Sequence, residues 1–286
     1  MHYIISTDTT ADLSKEYVEK YNLPLLSFNY IVNGTTHDIT NELPYKEFYN
    51  KMREGAVPKT SQVNPQEAKE FFQKVLNESD ADILHVAFSS GLSGSFNSTF
   101  IAARELMEEN PGRKIIVVDT LGASLGQGLL VNHAIKLREQ GKSIDEVSKW
   151  LEDNKLSLCH LFTVEDLIYL YRGGRVSRTK QAAAGVLNIK PVLHVDNDGH
   201  LVPMVNARGR NKSLKQMVDI MEERRFEGDQ DVFVSHGDSI EDAQHVADMI
   251  KERFGIEVAM INHIGPTIGT HSGPGTIALF FLGSVR

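Results

Sequence analysis

Two serine-containing turns are the strongest candidates for chemistry in this sequence. The first lies within Ala87–Thr99, where an apolar run leads into serines and glycines and then into a helical pattern. The hydroxyl residues of this loop are Ser89, Ser90, Ser93 and Ser95. Since the pattern predicts a strand, a loop and a helix, hydroxyls and free N–H groups at the helix start would suit an anionic ligand. The same serines could instead only cap the helix.

The second candidate is the segment Gly122–Gly126, GASLG, which matches the G-x-S-x-G pattern of a nucleophile elbow. In a serine hydrolase, Ser124 would be the nucleophile and His271 or His236 would be its base. An aspartate such as Asp238 would orient that base. Three residues separate the motif from the strand predicted before it, whereas a true elbow follows its strand directly. Serine hydrolase activity is therefore the alternative function and not the preferred one.

A glycine-rich segment near the C-terminus, Gly265–Gly275, is predicted to be a loop between strands. It contains Thr270 and His271 among its polar residues. An imidazole N–H surrounded by hydroxyls can donate a hydrogen bond to an anionic group. This segment is therefore a second candidate for anion binding.

Two basic clusters stand out on a chain whose formal net charge is -8. The first comprises Arg172, Arg175, Arg178 and Lys180, and the second comprises Arg208, Arg210 and Lys212. Each could be an ordinary solvated loop. Together they could form a docking surface for an acidic partner, a phosphate or an anionic lipid.

The composition excludes several classes of protein. A net charge of -8 argues against general nucleic-acid binding, which needs a basic surface. The 11 histidines lack HExxH spacing and one cysteine cannot form a thiolate cage, so no metal site is expected. Cys159 lies in an apolar stretch typical of a buried strand and cannot form an intramolecular disulfide. The sequence shows no apolar run of membrane-spanning length and no signal-peptide pattern, so a cytoplasmic location is expected.

The order of elements predicts an α/β protein with two lobes. Strands alternate with helices through residues 1–155, which favours a parallel, doubly wound sheet. Within it, Asn64 and Pro65 mark a helix start, and a long helix is expected from about Leu125 to Arg138. Residues 156–286 contain strands joined by a hairpin at Asn197-Asp198-Gly199, which favours a mostly antiparallel sheet with further helices.

Read in order, several segments resemble the DegV family, which includes the fatty-acid-binding subunits of bacterial fatty acid kinase. The resemblance covers nearly the whole chain. It is carried by STDTTADL at Ser6–Leu13, TSQVNPQE at Thr60–Glu67, FSSGLSGSFNS at Phe88–Ser98, VDTLGASLGQG at Val118–Gly128, RGGRVS at Arg172–Ser177, LNIKPVL at Leu187–Leu193, ARGR at Ala207–Arg210 and IGPTIGTHSGPG at Ile264–Gly275.

This resemblance implies the two-lobed DegV-like (EDD) fold, with a long-chain fatty acid held between the lobes as ligand and no other cofactor. By motif position, Ser61, Ser93 and His271 look like contacts of the carboxylate. Thr60 and Thr270 are expected close by. Hydroxyls, backbone N–H groups and one imidazole can satisfy a carboxylate without a buried lysine.

The resemblance also implies a partner. Family members present the bound acid to a separate ATP-dependent kinase subunit, which forms an acyl phosphate for phospholipid synthesis, and they touch the membrane only transiently. Arg175 matches the arginine associated with docking, and Arg172 and Arg208 are expected to contribute. The sequence contains no P-loop pattern GxxxxGK[ST], so catalysis is expected to belong to the partner and this chain is expected not to be an enzyme.

Overall fold

The computed structural model describes residues 3–176, 189–228 and 230–286. In that part of the chain the strands are β1 Tyr3–Asp8, β2 Leu25–Leu26, β3 Tyr30–Val32, β4 Thr35–His37, β5 Lys59–Thr60, β6 Asp82–Ala87, β7 Ile115–Asp119, β8 Leu158–Thr163, β9 Ile189–Val195, β10 Leu201–Arg208, β11 Phe233–His236, β12 Met260–His263 and β13 Ile277–Leu282. The helices are α1 Lys15–Tyr21, α2 Tyr45–Arg53, α3 Pro65–Glu78, α4 Ser95–Glu109, α5 Leu125–Glu139, α6 Ile144–Asn154, α7 Ile168–Arg172, α8 Arg210–Arg224, α9 Ile240–Phe254 and α10 Pro266–Ser272.

The first sheet confirms the parallel, doubly wound arrangement predicted for the N-terminal half. Its order is β2-β1-β6-β7, and every pairing in it is parallel. Neighbouring residues of β6 point to opposite faces. Ile83 packs in one apolar cluster with Phe72 of α3 and Leu106 of α4. Leu84 packs in another cluster with Leu129 of α5, so helices cover both faces of the sheet.

The second sheet has the order β10-β9-β8-β13-β11-β12. Only β11 and β12 pair in parallel within it, and the other pairings are antiparallel, as predicted. The hairpin at Asn197-Asp198-Gly199 joins β9 to β10, which confirms that prediction too. The last strand, β13, inserts between β8 and β11, so distant parts of the chain build the centre of this sheet.

Helix α5 lies between the two sheets and is buried on all sides over most of its length. One apolar cluster therefore contains Leu129 of α5, Ile5 of the first sheet and Phe280 of the second. The first sheet uses residues up to 119 and the second begins at residue 158. The division into lobes 1–155 and 156–286 remains a prediction.

Local signals predicted some helix bounds well. Asn64 caps α3, and its side chain and that of Glu67 form a reciprocal capping box. Helix α5 spans Leu125–Glu139, close to the expected range.

The predicted loop at Gly265–Gly275 is wrong, because this segment contains the helix α10. Pro266 occupies its first turn, and Gly273, with φ 84°, follows its end. Proline at the start and glycine after the end are typical of a helix, although a glycine inside a helix lowers its stability.

A third, small antiparallel sheet has the order β4-β3-β5, and it was not predicted. It sets Thr60 of β5 opposite Tyr30 of β3. Across residues 3–176, 189–228 and 230–286, no helix combines the length and the apolar character needed to cross a bilayer.

Candidate functional site

The structure gathers Thr60, Ser61, Ser93 and His271 around one cavity of about 500 Å³. This volume lies within the usual range of small-molecule sites. The four residues come from β5, the segment after it, the turn before α4 and the helix α10. Residues far apart in the sequence therefore form the polar end of a single cavity.

The Ser93 hydroxyl is able to donate a hydrogen bond into this cavity. Its Oγ accepts a hydrogen bond from the Ser95 N–H (3.2 Å) and lies 2.9 Å from Ser95 Oγ. Ser95 Oγ in turn accepts a hydrogen bond from the Val63 N–H (3.0 Å). When Ser95 donates to Ser93, the Ser93 hydroxyl can donate to a ligand. Because α4 begins at Ser95, the N–H groups of its first turn add partial positive charge here.

His271 pairs with Thr60 across the cavity wall. Its Nε2 lies 2.8 Å from Thr60 Oγ1, while Nδ1 is buried and has no hydrogen-bond partner within the described residues. A Cβ at Gly173 would overlap Nδ1, so a residue without a side chain is needed there. Burial, and then the charge of Arg175, lower the pKa of His271 to about 4. The imidazole is therefore neutral near pH 7.

Arg175 belongs to the wall of the same cavity. Its guanidinium donates hydrogen bonds to the backbone oxygens of Gly173 and Leu92, the latter at 3.1 Å. It thereby ties the end of α7 to the turn that carries Ser93. Within the described lining Arg175 is the only residue of formal charge, and neither aspartate nor glutamate lines the cavity. The electrostatic environment favours an anion.

Most of the remaining wall is apolar. Strands of the second sheet, connections of the first sheet and the helices α7 and α10 line it, and their apolar side chains include Phe28, Phe88, Phe162, Leu170, Ile268 and Phe280. The site thus combines a cluster of hydroxyl and imidazole groups with a larger apolar wall, which suits an amphipathic ligand.

Ser272 is a polar lining residue that the sequence analysis did not select. Its hydroxyl is buried and has no hydrogen-bond partner in the part of the chain described. A buried hydroxyl without a partner costs free energy, unless a ligand or water supplies one. In the sequence, the only indication that Ser272 lines the cavity is its position directly after His271. The apolar lining carried no signal, because such residues look like any core residue.

A surface groove of about 310 Å³ adjoins the polar end of the cavity and shares Thr60, Arg175 and His271 with it. Thr270 and Arg172 line this groove and not the cavity. The Thr270 hydroxyl donates to the Pro266 carbonyl oxygen (2.8 Å), within its own helix.

The structure places the residues of the two basic clusters in different surroundings. Arg172 and Arg175 line one groove, whereas Arg208 is exposed at the end of β10 and lines neither space. Arg210 of the second cluster forms an ion pair with Asp242. Arg178 and Lys180 lie outside the described residues.

Ser124 is placed quite differently from Ser93, although it also touches the cavity. Its φ is 55°, and its hydroxyl donates to Asp12 Oδ2 (2.6 Å) and lies 2.9 Å from Ser235 Oγ. Burial raises the pKa of Asp12 to about 8, against the lowering effect of the Ser124 and Gly265 hydrogen bonds.

The catalytic triad considered for Ser124 is not assembled. His271 Nε2 is paired with Thr60, and His236 Nδ1 accepts a hydrogen bond from the Ser239 N–H (3.0 Å). Asp238 forms an ion pair with Arg53. Since Ser124 pairs with a carboxyl group and another serine, the geometry does not support the serine hydrolase alternative.

One group of side chains in the described part of the chain has the spacing of a metal site. It consists of Asp196, Asp198 and His200 at the β9–β10 hairpin. Asp196 Oδ1 already accepts hydrogen bonds from the N–H groups of the other two residues, at 3.0 and 2.9 Å. These bonds shape the turn, so the cluster is explained without an ion.

The fold and the cavity together define an α/β protein with two large sheets and a cavity suited to an amphipathic anion. The sequence matches the DegV family, described as uncharacterised proteins, over residues 3–284. A DegV domain-containing protein of Clostridium perfringens is 44% identical over 287 residues, covering 99% of this chain and 98% of that protein. This chain belongs to the DegV family.

Two solved structures extend the comparison. A DegV family protein from Thermus thermophilus, described as binding fatty acid, has a TM-score of 0.88 at 28% identity, covering 99% of this chain and 100% of that one. A stearic acid-binding protein from Eubacterium ventriosum has a TM-score of 0.87 at 25% identity, covering 98% of this chain and 97% of that one.

Proposed function

We propose that this protein binds one long-chain fatty acid in the cavity, with the carboxylate at the Ser93 end. The observation that carries this proposal is the cavity itself, which joins a cluster of hydrogen-bond donors to an apolar body without any acidic side chain in its described lining. The fatty-acid-binding relatives from Thermus thermophilus and Eubacterium ventriosum support it.

Three hydroxyls hold the carboxylate in this proposal. Ser61 and Ser93 donate to it directly, and Thr60 donates while its own oxygen accepts a hydrogen bond from His271 Nε2. Charge-assisted hydrogen bonds of this kind are about twice as strong as neutral ones. They fix the orientation of the ligand, while each buried CH₂ contributes about 0.8 kcal/mol before the costs of binding.

We further propose that the protein presents this acid to a separate ATP-dependent kinase in the cytoplasm and meets the membrane only transiently. A carboxylate oxygen would attack the γ-phosphorus of ATP, releasing ADP and leaving an acyl phosphate on this protein. The exposed, basic groove beside the polar end supports this handover, because it offers an anionic group a path out of the cavity.

Native mass spectrometry of the purified protein, followed by denaturing extraction, tests the first proposal. A stoichiometric long-chain fatty acid is the expected result, and it also identifies the chain. A protein that arrives empty and takes up neither palmitate nor oleate would contradict the proposal.

Arg208→Ala tests the handover, because Arg208 touches neither the cavity nor the groove. With the organism's fatty acid kinase subunit and ATP, the variant is expected to form acyl phosphate more slowly, trapped as the hydroxamate, at unchanged lipid content. Normal phosphorylation would exclude Arg208 from docking, and no phosphorylation of the unmodified protein would refute the kinase partnership.

A further inference from the structure

One buried hydroxyl in the cavity wall has no role in the carboxylate site described above. Ser272 is 6% exposed, lines the cavity, and its Oγ has no hydrogen-bond partner in the part of the chain that the structure describes. Among those residues, Thr163 Oγ1 is the only other buried hydroxyl oxygen without a partner, and Thr163 does not line the cavity. Buried polar groups in folded proteins are nearly always hydrogen-bonded, so the unpaired hydroxyl of Ser272 calls for an explanation.

Three other buried polar side chains of the same wall have partners within the protein. The Thr276 hydroxyl donates to two backbone oxygens, each at 2.9 Å. His160 Nε2 accepts a hydrogen bond from the Ala123 N–H (3.3 Å), and the Ser124 hydroxyl donates to Asp12. Since these side chains are paired by the protein itself, they need no partner from a ligand. The Ser272 hydroxyl differs from them because the protein supplies it with none.

Ser272 lies next to the residues proposed to hold the carboxylate. It directly follows His271 in α10, and His271 Nε2 lies 2.8 Å from Thr60 Oγ1. Consecutive Cα atoms are about 3.8 Å apart. The serine side chain has three staggered χ1 positions, and no hydrogen bond to a described residue holds it in one of them, so its hydroxyl can turn towards a group in the cavity. The ligand atoms within its reach are those that directly follow the carboxyl group.

We propose that Ser272 binds a hydroxyl group on the third carbon of the ligand, so that the cavity takes a long-chain 3-hydroxy acid. The inference rests on the fatty-acid function proposed above and names the substrate class. An unsubstituted chain offers Ser272 only CH₂ groups, which leave its hydroxyl unpaired. A ligand hydroxyl both donates and accepts, so it can pair with the serine in either direction. An oxygen on the second carbon lies beside the carboxylate and shares its donors, whereas the third carbon is the first position beyond them.

The test compares the R and S enantiomers of 3-hydroxypalmitate, with palmitate as the reference, by titration calorimetry. The enantiomers have the same carboxylate, chain and hydration, so a difference in affinity reports how the site receives the hydroxyl. Because a hydrogen bond depends on alignment, the unmodified protein is expected to bind one enantiomer about fivefold more tightly than the other, and at least as tightly as palmitate. Ser272→Ala is expected to reduce this ratio to less than about twofold and to change palmitate affinity less than about twofold.

Two further variants control for the loss of a hydroxyl as such. Thr163→Val is the matched control, because it removes the other unpaired buried hydroxyl from a residue of β8 that does not line the cavity. It should leave the enantiomer ratio unchanged. Thr267→Val removes a hydroxyl of the cavity wall one turn earlier in α10 than His271, and it should also retain the ratio. Thermal unfolding checks that all three variants fold.

The outcomes separate this inference from the fatty-acid function. Equal affinities of the unmodified protein for the two enantiomers would overturn the hydroxyl site while palmitate binding still stood, and so would a ratio that survives Ser272→Ala. Equal weakening of palmitate and both hydroxy acids by Ser272→Ala would assign Ser272 to the carboxylate and overturn the inference. A ratio lost only in Thr267→Val would place the hydroxyl elsewhere and overturn it too. Failure of the unmodified protein to bind palmitate and both hydroxy acids would instead refute the fatty-acid function.

Discussion

The Ser93 turn and the Ser124 turn look alike in the sequence and do different work in the structure. Both lie between a strand of the first sheet and the following helix, and both touch the same cavity. Ser93 Oγ accepts a hydrogen bond from the Ser95 N–H, and its hydroxyl can donate to a ligand when the Ser95 hydroxyl donates to it. Ser124 is buried and pairs with Asp12 and Ser235. Hydrogen-bond partners, and not the motif, separate a serine that can donate to a ligand from one whose hydroxyl is held by a buried carboxyl group.

The Ser124 turn also holds the sheets together. Asp12 comes from the N-terminal half, and its Oδ1 accepts a hydrogen bond from the Gly265 N–H (2.9 Å) at the start of α10. The same helix carries His271. The Asp12–Ser124 pair therefore helps to position the helix that carries His271.

The largest expected effect concerns Asp12 and pH. Its pKa is about 8 when folded, against about 3.9 when unfolded, so the folded state keeps a proton that the unfolded chain releases. Stability should therefore fall as pH rises from about 4 to about 8, by up to about 1.4 kcal/mol per pH unit. Asp12→Asn keeps this side chain uncharged, as in the protonated state: its Oδ1 still accepts from the Gly265 N–H, and Ser124 then accepts from Nδ2 instead of donating to Oδ2.

Urea unfolding at several pH values measures this effect as the difference between the unmodified protein and Asp12→Asn. The variant should lack most of the pH dependence. Burial raises the pKa of Asp8 to about 6. Because Asp8 is present in both proteins, its contribution to the pH dependence cancels in the difference. Parallel pH profiles for the two proteins would show that Asp12 is ionised in the fold.

The next largest effect is expected on fatty acid affinity, and it tests the role proposed for Ser93 and His271. The double variant Ser93→Ala/His271→Ala should weaken fatty acid binding about 100-fold, because the lost Ser93 bond to a charged group is worth about 1.5–3 kcal/mol and the loss of His271 removes the hydrogen bond that orients Thr60. Titration with a fluorescent fatty acid measures the affinity, and circular dichroism should show an unchanged fold. Full lipid retention would remove both residues from the carboxylate site.

Gly126, next to Ser124, and Gly94, next to Ser93, allow a matched comparison of the stability lost on substitution by alanine. The expected effects are smaller than the one above. A Cβ at Gly126 would overlap His160 Nε2 and lie 2.8 Å from Phe280 Cδ1, so Gly126→Ala should cost about 1–3 kcal/mol of stability. A Cβ at Gly94 would meet the flexible end of Gln62 at 2.7 Å, so Gly94→Ala should cost about 0.5 kcal/mol or less. Thermal unfolding compares the two, and a reversed order would contradict this packing.

The smallest expected effect is no reaction at all. A fluorophosphonate probe for active serines should label the unmodified protein no more than Ser124→Ala, because no histidine among the residues that the structure describes is hydrogen-bonded to Ser124. Labelling that depends on Ser124 would restore the serine hydrolase alternative.

Much of the fold could be predicted because its signals are local. The Asn64 cap, the Asn197-Asp198-Gly199 turn and the alternation of strands and helices each depend on residues close in sequence. Two features escaped prediction because they depend on distant contacts. The strand β13 finds its place between β8 and β11, and α10 forms where packing outweighs the glycines of its sequence.

The sequence by itself determined the fold class, the family and the polar segments that contribute to the cavity. Only the tertiary structure decided which residues of those segments meet. It brought Thr60 to His271 across 211 positions, placed Arg175 in the cavity wall and moved Thr270 into the adjoining groove. The physical reason is that a hydrogen bond depends on distances and directions of about an ångström. Those are set by how sheets and helices pack, and not by the order of residues along the chain.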